Sequence, residues 1–138
     1  MLILVIEDSR FLRSALERRL VKAGHRVIAA RDGLEGLRQA REMHPDVILL
    51  DMMLPTLEGT EVLRELKGNP LTRPIPVVVL SGLSQRNEPR LKMIGAAAYF
   101  EKSKLDLDQD GRALIQAMEQ FRDDPCVPSK VDRNRFSG

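Results

Sequence analysis

Four short apolar runs, each followed by a polar residue, constrain most strongly how this chain can fold. The runs cover residues 2–6, 47–50, 77–80 and 99–100, and the polar residues after them are Glu7 and Asp8, Asp51, Ser81 and, one residue further on, Lys102. Continuous apolar runs of about four or five residues are typical of strands that are buried on both faces of a sheet. If these strands lie parallel, their carboxyl ends share one edge, and the polar residues meet there in a crevice.

Segments with a helical spacing of apolar residues alternate with the strands. Ser9 is suited to cap the first helix and Gly24 to end it. The predicted strands are 2–6, 26–30, 47–50, 77–80 and 97–101, and apolar stripes mark helices over 12–23, 34–40, 62–66, 91–94 and 107–121. Five strands and five helices in alternation predict an α/β fold, in which helices cover both faces of a parallel sheet. The functional site of such a sheet lies beyond the carboxyl ends of the strands, where the strand order reverses.

The composition is ordinary for a soluble globular protein. Of the 138 residues, 43% are apolar and 30% are charged, which suits a single domain with one core. The net charge of +2 is too small to indicate a nucleic-acid or membrane partner. No run reaches the roughly 18 apolar residues of a membrane span, and the N-terminus does not have the pattern of a signal peptide. The single cysteine, Cys126, cannot form an internal disulfide, so the cytoplasm is the expected compartment.

The last residues differ from the rest of the chain. Residues 122–138 contain two prolines, mixed charge and no periodicity. They are predicted to form a flexible tail or linker after a domain that spans residues 1–121.

Basic side chains away from the strand ends are expected to be solvated or structural. They include four arginines of the first predicted helix and two histidines: Arg10, Arg13, Arg18, Arg19, His25 and His44. For the arginines, a surface that meets an acidic partner is the alternative to a solvated face.

Glu7, Asp8 and Asp51 are expected to form a site for a hard cation. Two unit charges ~4 Å apart repel by about 4 kcal/mol at an effective dielectric constant of 20, so crowded carboxylates without a counter-charge tend to take up a proton. Lys102 offers one compensating charge and a divalent cation offers two. Because the donors are oxygens, with no histidine or cysteine among them, the set favours Mg²⁺ or Mn²⁺ over Zn²⁺.

Together these motifs resemble the receiver domain of two-component response regulators. The matching pieces are the acid pair Glu7-Asp8, residues 51–55 (Asp-Met-Met-Leu-Pro) with Gly59, Ser81-Gly82, and residues 95–102 (Gly-Ala-Ala-Ala-Tyr-Phe-Glu-Lys). They occur in the family's order and at family-like spacing over residues 1 to about 121. The resemblance implies a flavodoxin-like, doubly wound sheet of five parallel strands in the order 2-1-3-4-5, with five helices on its two faces.

The resemblance also implies a signalling switch, not an enzyme that acts on a separate substrate. Asp51 would take a phosphoryl group from a histidine kinase or a histidine phosphotransfer protein. Self-catalysed phosphotransfer and autodephosphorylation would be its only chemistry. Asp8 would bind Mg²⁺ directly and Glu7 through water, and Asp51 and the main-chain carbonyl of Met53 would complete the protein ligands.

The remaining motif residues would recognise the phosphoryl group and pass on the signal. By the same resemblance, Lys102 pairs with one phosphoryl oxygen and Ser81 donates a hydrogen bond to another. Tyr99 is expected to change rotamer as Ser81 moves, which alters the face formed by the fourth helix, the fifth strand and the fifth helix. A downstream target protein would bind this face, and the domain would act as a monomer or a weak dimer.

The chain departs from the commonest family pattern at five positions. Ser103 replaces the proline that usually follows the lysine, and the cis bond typical of that position costs about 3 kcal/mol before a residue other than proline. Glu7 stands where aspartate is commoner, and Ser81 where threonine is commoner. Met53 and Leu83 are apolar at two positions that tune dephosphorylation in the family, and they are expected to shield the acyl phosphate from water.

Three alternatives to a stand-alone switch are open. A pseudo-receiver would keep the fold as a protein-binding platform without being phosphorylated, and Ser103 is the feature that favours it. The chain could instead be the receiver part of a longer regulator with an output domain. An aspartate-nucleophile phosphatase is disfavoured, because Met53 stands where those enzymes typically have a second aspartate.

Overall fold

Parallel pairing joins the strands into a single sheet. The computed structural model describes residues 1–52, 58–81, 94–101 and 112–121, and of Ser81 it describes the main chain alone. The elements are β1 (Leu2–Ile6), α1 (Arg10–Lys22), β2 (Arg26–Ala30), α2 (Gly33–Met43), β3 (Val47–Asp51), α3 (Gly59–Gly68), β4 (Val77–Ser81), β5 (Ala98–Glu101) and a C-terminal helix (Arg112–Glu119). The strand order is β2-β1-β3-β4-β5 with every neighbouring pair parallel, which confirms the predicted fold.

The strand order reverses beside β1. From β1 the chain passes to β2 on one side and then returns to β3 on the other side. The crevice of an open α/β sheet lies at such a point, outside the carboxyl ends of the strands. At these ends Asp51 pairs with Leu80, and Ser81 pairs with Glu101. The polar residues that end the strands therefore lie along one edge of the sheet, the carboxyl edge.

Helices cover both faces of the sheet, and each face has its own apolar layer. Alternate residues of β1 belong to opposite layers, with Leu4 and Ile6 in one and Ile3 and Val5 in the other. Residues of α2 and α3 close the first layer, and residues of α1 and the C-terminal helix close the second. All residues of β3 are buried, as expected for a central strand between two helical layers.

Local hydrogen bonds determine where the first two helices begin. Ser9 Oγ accepts a hydrogen bond from the N–H of Leu12 at 3.3 Å, and Asp32 Oδ1 accepts one from the N–H of Glu35 at 2.8 Å. Gly24 follows α1 with a φ of +97°, a left-handed conformation that glycine adopts without strain. The predicted cap and stop of α1 are confirmed.

Two strands extend one residue beyond the apolar runs. The sequence pattern places their ends at residues 50 and 80, whereas β3 includes Asp51 and β4 includes Ser81. The pairing continues because the N–H of Met52 donates to the carbonyl oxygen of Leu80 at 2.9 Å. Asp51 is therefore held by the sheet itself, and does not begin a loop.

Four helices occur in the part of the chain that the structure describes. Residues 91–93 of the predicted fourth helix, residues 107–111 of the predicted fifth helix and the predicted tail from residue 122 lie outside that part. None of the described helices is long and apolar enough to cross a membrane.

Candidate functional site

Three carboxylates converge at the carboxyl edge of the sheet. Glu7 and Asp8 follow β1, and Asp51 ends the neighbouring strand β3. One carboxylate oxygen of each residue lies within 4.8 Å of those of the other two. Glu7 and Asp51 are buried and Asp8 is exposed. We call these three residues the carboxylate cluster, and its convergence is what the sequence pattern predicts.

Burial and charge make the carboxylate cluster a suitable site for a small, hard cation. Two unit charges ~4.8 Å apart repel by about 3.5 kcal/mol at an effective dielectric constant of 20. A divalent cation offsets this repulsion, and an all-oxygen donor set suits Mg²⁺. Because Asp8 is exposed, water can complete the coordination shell, which Mg²⁺ typically requires.

The start of α3 lies directly against the main chain of Asp51 and Met52. The N–H of Gly59 donates to the carbonyl oxygen of Met52 at 3.2 Å. A Cβ atom at Gly59 would lie 2.5 Å from the Cα of Met52 and 2.9 Å from the carbonyl oxygen of Asp51. Glycine is therefore required at this position, because any side chain would displace the residues that carry the Asp51 carboxylate.

Main-chain hydrogen bonds hold the acid pair in place after β1. The N–H of Glu7 donates to the carbonyl oxygen of Ala30 in β2 at 3.0 Å. The N–H of Ser9 donates to Glu7 Oε2 at 3.0 Å and so orients that carboxylate. The guanidinium of Arg13 donates to the carbonyl oxygens of Glu7 and Asp8.

Of the other predicted site residues, the structure describes Tyr99 and the main chain of Ser81. The main chain of Ser81 pairs with Glu101, the residue before Lys102. Tyr99 pairs with Val79, is half-buried, and packs against the apolar layer that α2 and α3 close. The side chain of Ser81 and the whole of Met53, Leu83, Lys102 and Ser103, including the Met53 carbonyl expected to bind the cation, lie outside the described residues.

Arg13 is a described residue near this site that the sequence pattern misses. A solvated face is expected for the arginines of α1, yet Arg13 is half-buried and bonded to the acid pair. Side chains of a helix point toward its N-terminus, so an arginine in the first turn of α1 can reach back to the loop before it. The position of Arg13, five residues after Asp8 in the sequence, is the signal that could have indicated this contact.

Sequence comparisons place this chain among response regulator receiver domains. Residues 3–109 match the sequence profile of the response regulator receiver domain. The polar-differentiation response regulator DivK of Brucella ovis is similar, with 39% identity over 102 residues, covering 72% of this chain and 82% of DivK.

Two solved structures share the fold. The response regulator domain of Thermotoga maritima CheB has a TM-score of 0.77 and 28% identity, covering 91% of this chain and 98% of that domain. The receiver domain of the sensor histidine kinase PA1611 from Pseudomonas aeruginosa PAO1 has a TM-score of 0.74 and 25% identity, covering 87% of this chain and 95% of that domain. In that receiver domain a magnesium ion is coordinated in the active site cleft.

Proposed function

This chain belongs to the response regulator receiver family, and we propose that it is a phosphoacceptor switch in which Asp51 receives the phosphoryl group. The position of Asp51 carries this proposal. Its side chain is buried at the carboxyl end of a central strand, and one of its oxygens lies within 4.8 Å of those of Glu7 and Asp8. A carboxylate held in this way is available as a nucleophile beside a cation site.

Mg²⁺ is the proposed cofactor, and Mn²⁺, which prefers similar oxygen ligands, is the proposed substitute. Asp8 and Asp51 would bind it directly, Glu7 would bind it through water, and the main-chain carbonyl of Met53 would be the remaining protein ligand. When bound, the cation supplies positive charge for the oxygens of the incoming phosphoryl group. The all-oxygen cluster and the exposure of Asp8 support this assignment.

The proposed transfer forms one bond and breaks one. A carboxylate oxygen of Asp51 bonds to phosphorus while the bond between phosphorus and the donor histidine nitrogen breaks, and that nitrogen keeps the electron pair. The donor is a histidine kinase or a histidine phosphotransfer protein in the cytoplasm. The protein positions the carboxylate in line with the leaving nitrogen and stabilises the charge of the transferred group.

Two further residues are proposed to bind the phosphoryl oxygens. Lys102 neutralises one oxygen, and the hydroxyl of Ser81 donates a hydrogen bond to another. The pairing of the Ser81 main chain with Glu101 at the carboxyl edge supports this, because Lys102 follows Glu101 directly in the sequence.

Tyr99 is the proposed link between the site and a downstream target protein. It lies on β5 opposite Val79 and is half-buried, so a rotamer change would alter the surface around β5. We propose that the target binds the face formed by the predicted fourth helix, β5 and the C-terminal helix, and that phosphorylation changes the affinity for this face.

Intact-mass measurement after incubation with Mg²⁺ and acetyl phosphate tests the proposal. We expect the wild-type protein to gain one phosphoryl group, with acetate as the leaving group, and Asp51→Asn to gain none. Asp46→Asn is the matched control, because Asp46 precedes the same strand at its opposite end and its Oδ2 accepts a hydrogen bond from the N–H of Leu2 at 2.7 Å. This control should be phosphorylated like the wild type.

Other outcomes would contradict the proposal in distinct ways. If the folded wild-type protein gains no phosphoryl group, the chain is a pseudo-receiver that acts by binding alone. If it releases free phosphate rapidly and far beyond one equivalent, it is a phosphatase. If Asp51→Asn is phosphorylated as well as the wild type, the acceptor is another residue.

A further inference from the structure

The guanidinium of Arg13 binds the main chain of the acid pair. Its Nη1 donates to the carbonyl oxygen of Glu7 at 3.0 Å and to that of Asp8 at 3.3 Å. Arg13 is half-buried, whereas Arg10 and Arg18 on the same helix are exposed. Arg13 is thus distinguished from these two neighbours by what its side chain contacts.

The contact of Arg13 completes a set of hydrogen bonds around the loop between β1 and α1. The N–H of Glu7 joins this loop to Ala30 of β2, and the N–H of Ser9 orients the Glu7 carboxylate. The N–H of Arg13 itself donates to the carbonyl oxygen of Ser9 at 2.8 Å, which fixes the first turn of α1. The guanidinium extends the set to Asp8, the exposed member of the carboxylate cluster.

We infer that Arg13 is a positioning residue of the cation site, which fixes the backbone of Glu7 and Asp8 so that both carboxylates reach one cation together with Asp51. This inference rests on the proposed function, because the cation is the one that accompanies phosphorylation of Asp51. Arg13 acts through main-chain oxygens and does not itself touch the cation. Replacement of residues that orient metal ligands commonly changes metal affinity by about 10-fold or more.

The charge of Arg13 and its hydrogen bonds have opposite effects on cation binding. A positive charge near the carboxylate cluster repels a cation, so its removal alone would strengthen binding. Loss of the two hydrogen bonds releases the backbone of the acid pair and weakens binding, because the ligands must then be ordered when the cation binds. The direction of the change in Mg²⁺ affinity therefore separates positioning from simple electrostatics.

Titration calorimetry with Mg²⁺ alone, on the full chain, tests the inference. We expect Arg13→Met to raise the dissociation constant for Mg²⁺ about 10-fold. Arg18→Met is the matched control, since it removes the same charge from an exposed position of the same helix. It should bind Mg²⁺ as tightly as the wild type or slightly more tightly. If Arg13→Met does the same, the inference is wrong.

A second variant keeps the test decisive if Arg13→Met does not fold. Arg13→Lys retains the charge on a side chain one atom shorter, so the ammonium cannot reach both carbonyl oxygens as the guanidinium does. We expect the dissociation constant for Mg²⁺ to rise in this variant too, toward the roughly 10-fold increase expected for Arg13→Met. An unchanged constant in folded Arg13→Lys would overturn the inference.

Hydrogen exchange in the absence of Mg²⁺ gives a readout that does not depend on the cation. The amides of Glu7 and Ser9 should exchange about 10-fold faster in folded Arg13→Met, or in Arg13→Lys if Arg13→Met does not fold, than in Arg18→Met. The reason is that the loop between β1 and α1 opens more often without the Arg13 guanidinium. Equal exchange rates would contradict positioning. If the wild-type protein binds Mg²⁺ and is phosphorylated while the Arg13 variant matches it, only this inference fails. If the wild type binds no Mg²⁺, the proposed function fails with it.

Discussion

Nε2 of His25 lies 2.8 Å from Oε2 of Glu119. His25 directly precedes β2 and Glu119 ends the C-terminal helix, so the contact joins this helix to the start of β2. The side chain of His25 is fully buried, and that of Glu119 is 36% exposed. This contact lies at the amino edge of the sheet, opposite the carboxylate cluster. It holds the C-terminal helix, which is part of the proposed target-binding face, in place.

Loss of the Glu119 carboxylate is expected to destabilise the fold. Glu119→Ala leaves a buried ring nitrogen of His25 without this acceptor, which should cost about 1–3 kcal/mol in the free energy of unfolding. Urea denaturation measures the change. Glu42→Ala is the control, because Glu42 pairs with Arg38 at 3.5 Å on an exposed surface, where such pairs contribute about 0.3–0.5 kcal/mol. Equal losses in the two variants would mean that the His25 contact contributes no more than a surface pair.

Gly59→Ala is expected to destabilise the protein and weaken Mg²⁺ binding, although alanine favours helices. The new Cβ would lie 2.5 Å from the Cα of Met52, and relief of that overlap moves the main chain next to Asp51. Such overpacking costs about 1–3 kcal/mol. Gly68→Ala is the control within the same helix, since a Cβ there meets nothing within 4 Å. It should gain up to about 1 kcal/mol. Thermal unfolding measures the stability of the two variants, and titration measures their affinity for Mg²⁺. Equal melting temperatures and equal Mg²⁺ affinities would contradict this prediction.

Lys67 is expected to make stability depend on pH in the alkaline range. Its Nζ donates to the carbonyl oxygens of Arg73 at 3.0 Å and Ile75 at 2.7 Å. Burial lowers the pKa of its ammonium below the usual value of 10.5. The folded protein therefore releases this proton at a lower pH than the unfolded chain. Between the lowered pKa and 10.5, the unfolded state binds more protons than the folded state, so the free energy of unfolding rises with pH. This gain in stability is complete above pH 10.5 and is lost as pH falls through the lowered pKa.

Urea denaturation at several alkaline pH values measures this contribution of Lys67. The wild-type free energy of unfolding should rise relative to that of Lys67→Met as pH approaches 10.5, because the variants share every other titrating group. Arginine keeps its proton in this range, so the free energy of unfolding of Lys67→Arg should also fall behind that of the wild type as pH rises. Parallel pH profiles for all three proteins would contradict the lowered pKa of Lys67.

Without Mg²⁺, Asp51→Asn is expected to be more stable than the wild type. With Mg²⁺, this difference in stability is expected to disappear. Removal of one charge from the carboxylate cluster relieves repulsion, which should raise the free energy of unfolding by about 1–2 kcal/mol. The wild type should instead gain about 2.7 kcal/mol at a Mg²⁺ concentration 100 times its dissociation constant. Thermal unfolding with and without Mg²⁺ tests both effects. A wild-type melting temperature that Mg²⁺ leaves unchanged would contradict them.

Most of the fold could be predicted because strands buried on both faces have a simple pattern. Continuous apolar runs and intervening helical stripes predict the parallel sheet, and family resemblance predicts its order. The ends of β3 and β4 differ by one residue from the prediction, because main-chain pairing continues past the last apolar side chain to Asp51 and Ser81. Hydrophobicity indicates burial of side chains and does not report main-chain hydrogen bonds.

The carboxylate cluster could also be predicted, since the topology alone brings the ends of neighbouring strands together. Glu7, Asp8 and Asp51 meet because β1 and β3 are adjacent and parallel. Their roles as cation ligands and phosphoryl acceptor stay predictions. The contact of Arg13 with the acid pair could not be predicted in the same way, because an arginine on a helix suits solvent equally well.

The sequence by itself determined the layered α/β fold and the edge at which the acidic residues gather. Both follow from apolar periodicity and from the rule that parallel strands share their ends. Only the tertiary structure decided the partners of the long polar side chains, such as Arg13 on the acid pair, Glu119 on His25 and Lys67 on its two carbonyl oxygens. These contacts depend on distances of a few ångströms between loops and helix ends, and such distances are set only when the packed helices are in place.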